Sequence, residues 1–227
     1  MRRHAIARRA AGLSMIELMV GVTVALFIAA GAITMFAGQL REQRALLLEA
    51  RLMQDLRSAA DVVTRDLRRA GYWGAAADGV WAAGATGVST NPYAALPPSG
   101  AASDAVALRY SRDASENNSV DSNEQFGFRL HNGAIELQLG AANWQTLTDA
   151  TTLTIIAFSV TPTVRDISLD SFCPAPCPPA SSACPPHQQI RDFAVEIIGR
   201  LVAAPAVERR VHGQVRVRND AVSGACA

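Results

Sequence analysis

The sequence predicts an α+β protein: one long N-terminal helix, apolar and transmembrane in its first half, packed on an antiparallel β-sheet domain. Three observations carry this. From Leu18 to Leu40 there is no charged residue; Leu56, Ala59 or Ala60, Val63, Leu67 and Ala70 recur at three- and four-residue spacing; and beyond Gly71 the apolar pattern changes to alternation. These shifts divide the 227 residues into a leader (1–12), an apolar membrane half of the helix (13–40), an amphipathic half (41–70) and a β-rich domain (71–227).

The leader holds Arg2, Arg3, Arg8 and Arg9 and no acid, which keeps that end cytoplasmic and sends the rest of the chain to the periplasm or exterior. The net charge is +1, but without the leader 17 basic residues face 20 acidic ones, a net of −3. A chain of that sign offers little electrostatic footprint for nucleic acid, and no nucleic-acid partner is expected.

The apolar run is long enough to cross a bilayer at about 1.5 Å per residue. Glu17 stands at its start, and a carboxylate in such a segment costs a few kcal/mol unless it is paired. Three readings compete. A secretory signal peptide would be cut at Ala30-Gly31-Ala32, but apolarity continues through Ile33, Met35 and Phe36. A plain single-pass anchor would leave Glu17 at the headgroup boundary. The third follows from Gly12-Leu13-Ser14-Met15-Ile16-Glu17-Leu18-Met19-Val20, which closely resembles the type IV prepilin signal. That resemblance implies cleavage between Gly12 and Leu13 by a prepilin peptidase and N-methylation of Leu13. Glu17 then pairs with the new N-terminal amine, its own or a neighbour's, as a docking device for assembly. Leu13 stands where the family most often has Phe.

No proline occurs before Pro92, so one helix is expected from Leu13 to about Ala70. Its second half carries the apolar stripe and, on other faces, the opposite charges Arg51–Asp55, Arg57–Asp61 and Asp61–Arg65 four residues apart. Gly71, with Gly74 after it, marks the stop. Gly21, Gly31 and Gly38 lie in the apolar half, where single glycines are common.

Beyond the helix, Ala75 to Ala102 is rich in Gly, Ala, Ser and Pro and reads as an irregular surface excursion. Ala105–Tyr110 and Gly127–Leu130 alternate as strands, and His131-Asn132-Gly133 signals a tight turn into Ala134–Leu139, a hairpin. Leu153–Val160, Phe193–Leu201 and Gly213–Val217 are further strands. Asp113, Glu116, Asp121 and Glu124 sit among Asn and Ser in one loop. They read as a solvated acidic loop, with calcium binding through oxygen ligands as the weaker alternative, since the ordered ligand positions of an EF-hand are missing.

Cys173, Cys177, Cys184 and Cys226 fall in the last quarter. Downstream of a membrane segment they read as disulfides, with three pairings open. The rival is a metal site, for which Cys173-x3-Cys177 is a possible spacing, though zinc sites usually show tighter pairs. His4, His131, His187 and His212 share no ligand spacing, and no nucleophile elbow, phosphate loop or dinucleotide fingerprint appears. No cofactor and no enzymatic activity are expected.

Arg65-Asp66-Leu67-Arg68-Arg69-Ala70-Gly71-Tyr72-Trp73-Gly74 resembles the helix end of the PilW group of minor pilins. The stretch Arg209-Arg210-Val211-His212-Gly213-Gln214-Val215-Arg216-Val217-Arg218-Asn219 is similar to that group's last strand. Tyr72 and Trp73 are expected to plug the core under the helix end rather than bind a ligand. The resemblance implies the type IV pilin fold and a subunit that primes pilus assembly at the tip, with roles in biogenesis, adhesion and twitching motility. It implies other minor pilins and the major pilin as partners through the N-terminal helices, the prepilin peptidase, the inner membrane and a tip adhesin. The subunit would be single-pass in the inner membrane with a periplasmic domain, and on the pilus after assembly. The alternatives are a J-type minor pseudopilin of a type II secretion system and a single-pass periplasmic receptor or sensor domain.

Overall fold

The computed structural model describes residues 12, 14–80, 89–179, 181 and 183–227. One helix, α1 (Met15–Arg69), runs without interruption through the apolar and amphipathic halves. The chain divides into two units, residues 1–48 and 49–227. In the first, α1 is exposed along its length; in the second, Leu52, Leu56, Ala59, Ala60, Val63 and Leu67 form a buried stripe.

The stripe is buried against two four-stranded antiparallel sheets rather than one. The first contains β1 (Ala105–Arg109), β2 (Gln125–His131), β3 (Ala134–Leu139) and β4 (Trp144–Thr146), in that order. The second is built on β5 (Leu153–Ser168), β6 (His187–Leu201) and β7 (Glu208–Arg216). A short β8 (Ala221–Ser223) pairs with His187–Gln189 of β6, on the edge that β7 leaves free beyond Asp192. The sheets are joined by a bridge between Ser103 and Val160 and by the Ile155 N–H, which donates to the Gly133 carbonyl. Phe128, Ile135, Phe193 and Ile197 are buried in the common core with the stripe.

The sequence signals for these elements hold, with extensions. Asn132 (φ 50°) and Gly133 (φ 74°) are both left-handed, as the tight turn between β2 and β3 requires. The expected strands at 153–160 and 193–201 are the inner parts of a ribbon reaching Ser168 and His187, beyond the point where apolar alternation stops. The outer part of β5 is exposed and polar, so ladder hydrogen bonds rather than burial define it. The excursion at 75–102 is not confined to the surface: Tyr93 is fully buried and Leu96 nearly so. Trp73 is buried as expected, whereas Tyr72 is half exposed. Among the described residues the three expected helix ion pairs are not formed. Exposed pairs gain little over solvation. Arg69 instead pairs with the buried Asp66 and lies 4.8 Å over the Tyr110 ring.

Close packing of α1 on β6 and β7 needs small residues. A Cβ on Gly199 would meet Leu56 Cδ2 at 2.9 Å, and one on Gly213 would meet Thr64 Cγ2 at 2.9 Å.

The C-terminal end of α1 is closed by distant residues. Gly71 takes φ 73°, and its N–H donates to the Arg109 carbonyl at 2.8 Å. The Asn219 side-chain amide donates to the Arg69 and Ala70 carbonyls at 3.4 and 3.1 Å, and the Arg218 N–H donates to the Arg68 carbonyl at 3.1 Å. The Arg191 guanidinium, only 8% exposed, in turn donates to the Asn219 and Ala94 carbonyls. Helix-end carbonyls have no intrahelical donor, so these contacts satisfy groups that burial would otherwise strand. Asn219→Ala is expected to lower stability by about 1–3 kcal/mol, read as a shift in the urea midpoint of the oxidised full-length protein. An unchanged midpoint would show that solvent serves those carbonyls equally well.

Candidate functional site

The N-terminal segment presents the first candidate. Gly12 is exposed, with open space where a Cβ would stand. Leu13 and residues 1–11 lie outside the described residues, so the cleavage and methylation assigned there have no geometry to describe. Glu17 sits in the first turn of α1 and is exposed. Carboxylates are favoured at that end of a helix by the unpaired N–H groups. Among the described residues Glu17 has no ion-pair partner within 4 Å.

The surface that follows is apolar around the whole helix: Met15, Phe27, Ile28, Ile33 and Met35 are each more than 65% exposed. The two threonine hydroxyls within it are satisfied locally. Thr23 Oγ1 donates to the Val20 carbonyl at 2.9 Å and Thr34 Oγ1 to the Gly31 carbonyl at 2.8 Å. A helix whose backbone and hydroxyl groups are all bonded internally can enter a medium that offers no hydrogen bonds. The helix is long and apolar enough to cross a membrane, with a mean hydropathy of 2.3 over its most apolar stretch.

The acidic loop is the second candidate, and the expectation of a solvated loop is overturned for its last member. Glu124 is fully buried. Its Oε1 accepts from the Arg112 N–H at 2.7 Å, and its Oε2 accepts from the Asp121 N–H at 2.9 Å and lies 3.0 Å from the Tyr93 hydroxyl. Glu116 is used similarly: Oε2 accepts from the Gly74 N–H at 2.9 Å and Oε1 from the Asn118 N–H at 2.9 Å. Trp73 Nε1 donates to Asn118 Oδ1 at 2.7 Å. The loop is therefore a clamp on the chain just after α1, built by carboxylates that accept from backbone donors. Asp121 caps the short turn at 122–124, and Asp113 Oδ2 is buried without a protein partner. Among the described residues these four acids do not converge as a ligand set. Sequence spacing missed the clamp because three of its donors, at residues 74, 93 and 112, lie outside the acidic run.

Burial and the hydrogen bond to Glu124 raise the Tyr93 phenol well above its ordinary value. Glu116 shows the opposite balance. Burial pushes its carboxyl up, but hydrogen bonds from the Ser111 side chain, the Asn118 and Gly74 N–H groups and Tyr93 together hold it below its ordinary 4.5. A depressed carboxyl stabilises the fold above its unfolded value, and that stability is lost as pH falls through the folded one. Glu116→Gln removes the titration, so its thermal midpoint should fall less than that of the wild type below about pH 4.5. Glu136 and Asp149 are also held low and titrate in both proteins, so the difference isolates Glu116. Parallel pH curves would exclude this role.

The cysteines form two bridges, Cys173–Cys226 and Cys177–Cys184. This selects one of the three pairings and assigns Cys173 and Cys177, the suggested ligand pair, to different bridges. The sulfurs of Cys173, Cys177 and Cys184 nonetheless lie within 4.8 Å of one another, a convergence that the uneven spacing did not reveal. Among the described residues the histidines remain apart: His131 bonds Glu136, His187 bonds Asp166, and His212 lies on β7, while His4 lies outside them.

No curated protein and no solved structure matches this chain. A family model described as prepilin peptidase-dependent protein B matches residues 45–217. The match begins after Gly12, Leu13 and Glu17, and takes in the buried stripe, the clamp loop and strands β1 to β7. It spans well over half of the sequence, and the chain belongs to the prepilin peptidase-dependent protein B family.

Proposed function

We propose that this protein is a minor pilin of the PilW type, a structural rather than catalytic subunit that primes type IV pilus assembly and ends at the fibre tip. In this reading a prepilin peptidase cuts between Gly12 and Leu13, Leu13 is N-methylated, and the subunit waits in the inner membrane with residues 49–227 in the periplasm. The observation that carries the proposal is the first half of α1, apolar and exposed on every side and bearing one acid in its first turn. A surface of that kind serves a bilayer first and neighbouring helices afterwards. The family's description, prepilin peptidase-dependent, supports the processing step. The PilW assignment draws on the stretches at 65–74 and 209–219, which meet where Asn219 bonds the Arg69 and Ala70 carbonyls. Other minor pilins and the major pilin are the partners through α1, and a tip adhesin is a further one. Roles in adhesion and twitching motility follow from that location.

Expressed with a prepilin peptidase, the chain should yield a mature N-terminus at N-methylated Leu13 by mass spectrometry. Without the peptidase it should keep residues 1–12. An intact leader in the presence of active peptidase would sink the proposal. Glu17→Ala should still be processed, while its incorporation into fibres or a minor-pilin complex drops at least about tenfold, because the partner amine is left unpaired. Normal incorporation of that variant would refute the pairing role.

A further inference from the structure

Loop 169–186 joins β5 to β6, and its ends are fixed by backbone pairing rather than by its bridges. Ser168 is paired with His187, and the Leu169 N–H donates to the Pro186 carbonyl at 2.8 Å. The C-terminal segment is held beside it: β8 pairs Ser223 with His187, and the Ala225 N–H donates to the Ala183 carbonyl at 2.8 Å. Cys173, Cys177 and Cys184 come from the loop and Cys226 from the tail, with Cys184 only 7% exposed. Three sulfurs lie within 4.8 Å of one another, and the fourth is bonded to one of the three. In a tetrahedral thiolate site with metal–sulfur distances of about 2.3 Å, neighbouring sulfurs stand about 3.8 Å apart. Three of the four sulfurs already converge, and reduction frees the bonded pairs to part to that spacing and Cys226 to take the fourth position.

We propose that these four cysteines are a redox-gated site for one thiophilic divalent cation of the zinc class. Oxidised, they are two disulfides and offer no thiolate. Reduction by a dithiol donor delivers two electrons and two protons to each bridge, giving four thiols and two molecules of oxidised donor. Binding of the cation then displaces four protons and forms four metal–sulfur bonds, with no further change in oxidation state. Cys173, Cys177 and Cys184 supply three ligands, and Cys226 closes the fourth position. The site serves the reduced chain: the ion holds the tail on the β5–β6 ribbon until oxidation replaces it with bridges. Nothing in this inference depends on the pilin reading.

The test uses the full-length protein in detergent, reduced anaerobically with a water-soluble phosphine and titrated with Co2+. One equivalent should produce the visible bands of tetrahedral thiolate-bound cobalt, and Zn2+ should bleach them. Oxidised protein should give none. Cys177→Ser and Cys184→Ser should each abolish the four-sulfur spectrum, and Cys226→Ser should shift it as oxygen replaces one sulfur. A second readout covers variants that fail to fold: Zn2+ should protect all four cysteines of reduced wild type from maleimide labelling. Absence of one-to-one bands in the reduced wild type, bands indifferent to these substitutions, or labelling unaffected by Zn2+ would each overturn the site.

Discussion

Leu52, Leu56, Ala59, Ala60, Val63 and Leu67 leave water by packing against two sheets, and the rest of residues 49–227 is arranged around that contact. Each fully buried leucine contributes roughly 1.5–3 kcal/mol relative to exposure. The six-residue stripe therefore outweighs any single polar contact in the molecule. It also dictates sequence elsewhere. Gly199 and Gly213 allow Leu56 and Thr64 to approach the strands, and a methyl group at either position would collide with α1. The helix end then has to be sealed, because the last carbonyls of α1 emerge inside folded structure. Asn219, Arg218 and the Gly71 turn meet that demand, and the carboxylates of the acidic loop fix the chain that follows.

This hierarchy explains which parts of the fold were legible in the sequence. The stripe and the hairpin at Asn132-Gly133 are local patterns, one set by helical period and the other by left-handed backbone, and both appear where the residues predict. The outer ribbon of β5 and β6 was not legible, because Thr161 to Ser168 are mostly exposed and polar and are ordered by pairing across some twenty residues of loop. Strands β4 and β8 have three residues each, too few for alternation to register. Glu124 illustrates the same limit at a candidate site. Its acidic neighbours suggested solvent or a cation, whereas its environment is set by Tyr93, Arg112 N–H and Asp121 N–H. A buried carboxylate satisfied by backbone donors has no sequence signature, since every residue carries such a donor. The disulfide pairing was equally closed to sequence, being decided by how β8 lays the tail against β6.

The apolar half of α1 poses a different physical problem, because its apolar side chains are exposed. Internal hydrogen bonding, including those of Thr23 and Thr34, suits it to an apolar medium, and only Glu17 resists transfer. Under the proposed processing, cleavage after Gly12 removes four arginines and creates an amine on Leu13. Leu13 stands four residues before Glu17 in the sequence, and under the same proposal its amine would pair with Glu17 of its own chain or of a neighbour. The pair crosses the apolar medium more cheaply than either charge alone, and exchange of the intramolecular pair for one with a neighbour conserves the number of ion pairs. Assembly then proceeds without a new desolvation penalty. In the proposed assembly such a pair would fix the axial offset between adjacent helices, which a uniformly apolar surface leaves undetermined. One acid is what this requires: a second carboxylate in the run would have no amine to meet, and the segment from Leu18 to Leu40 contains none.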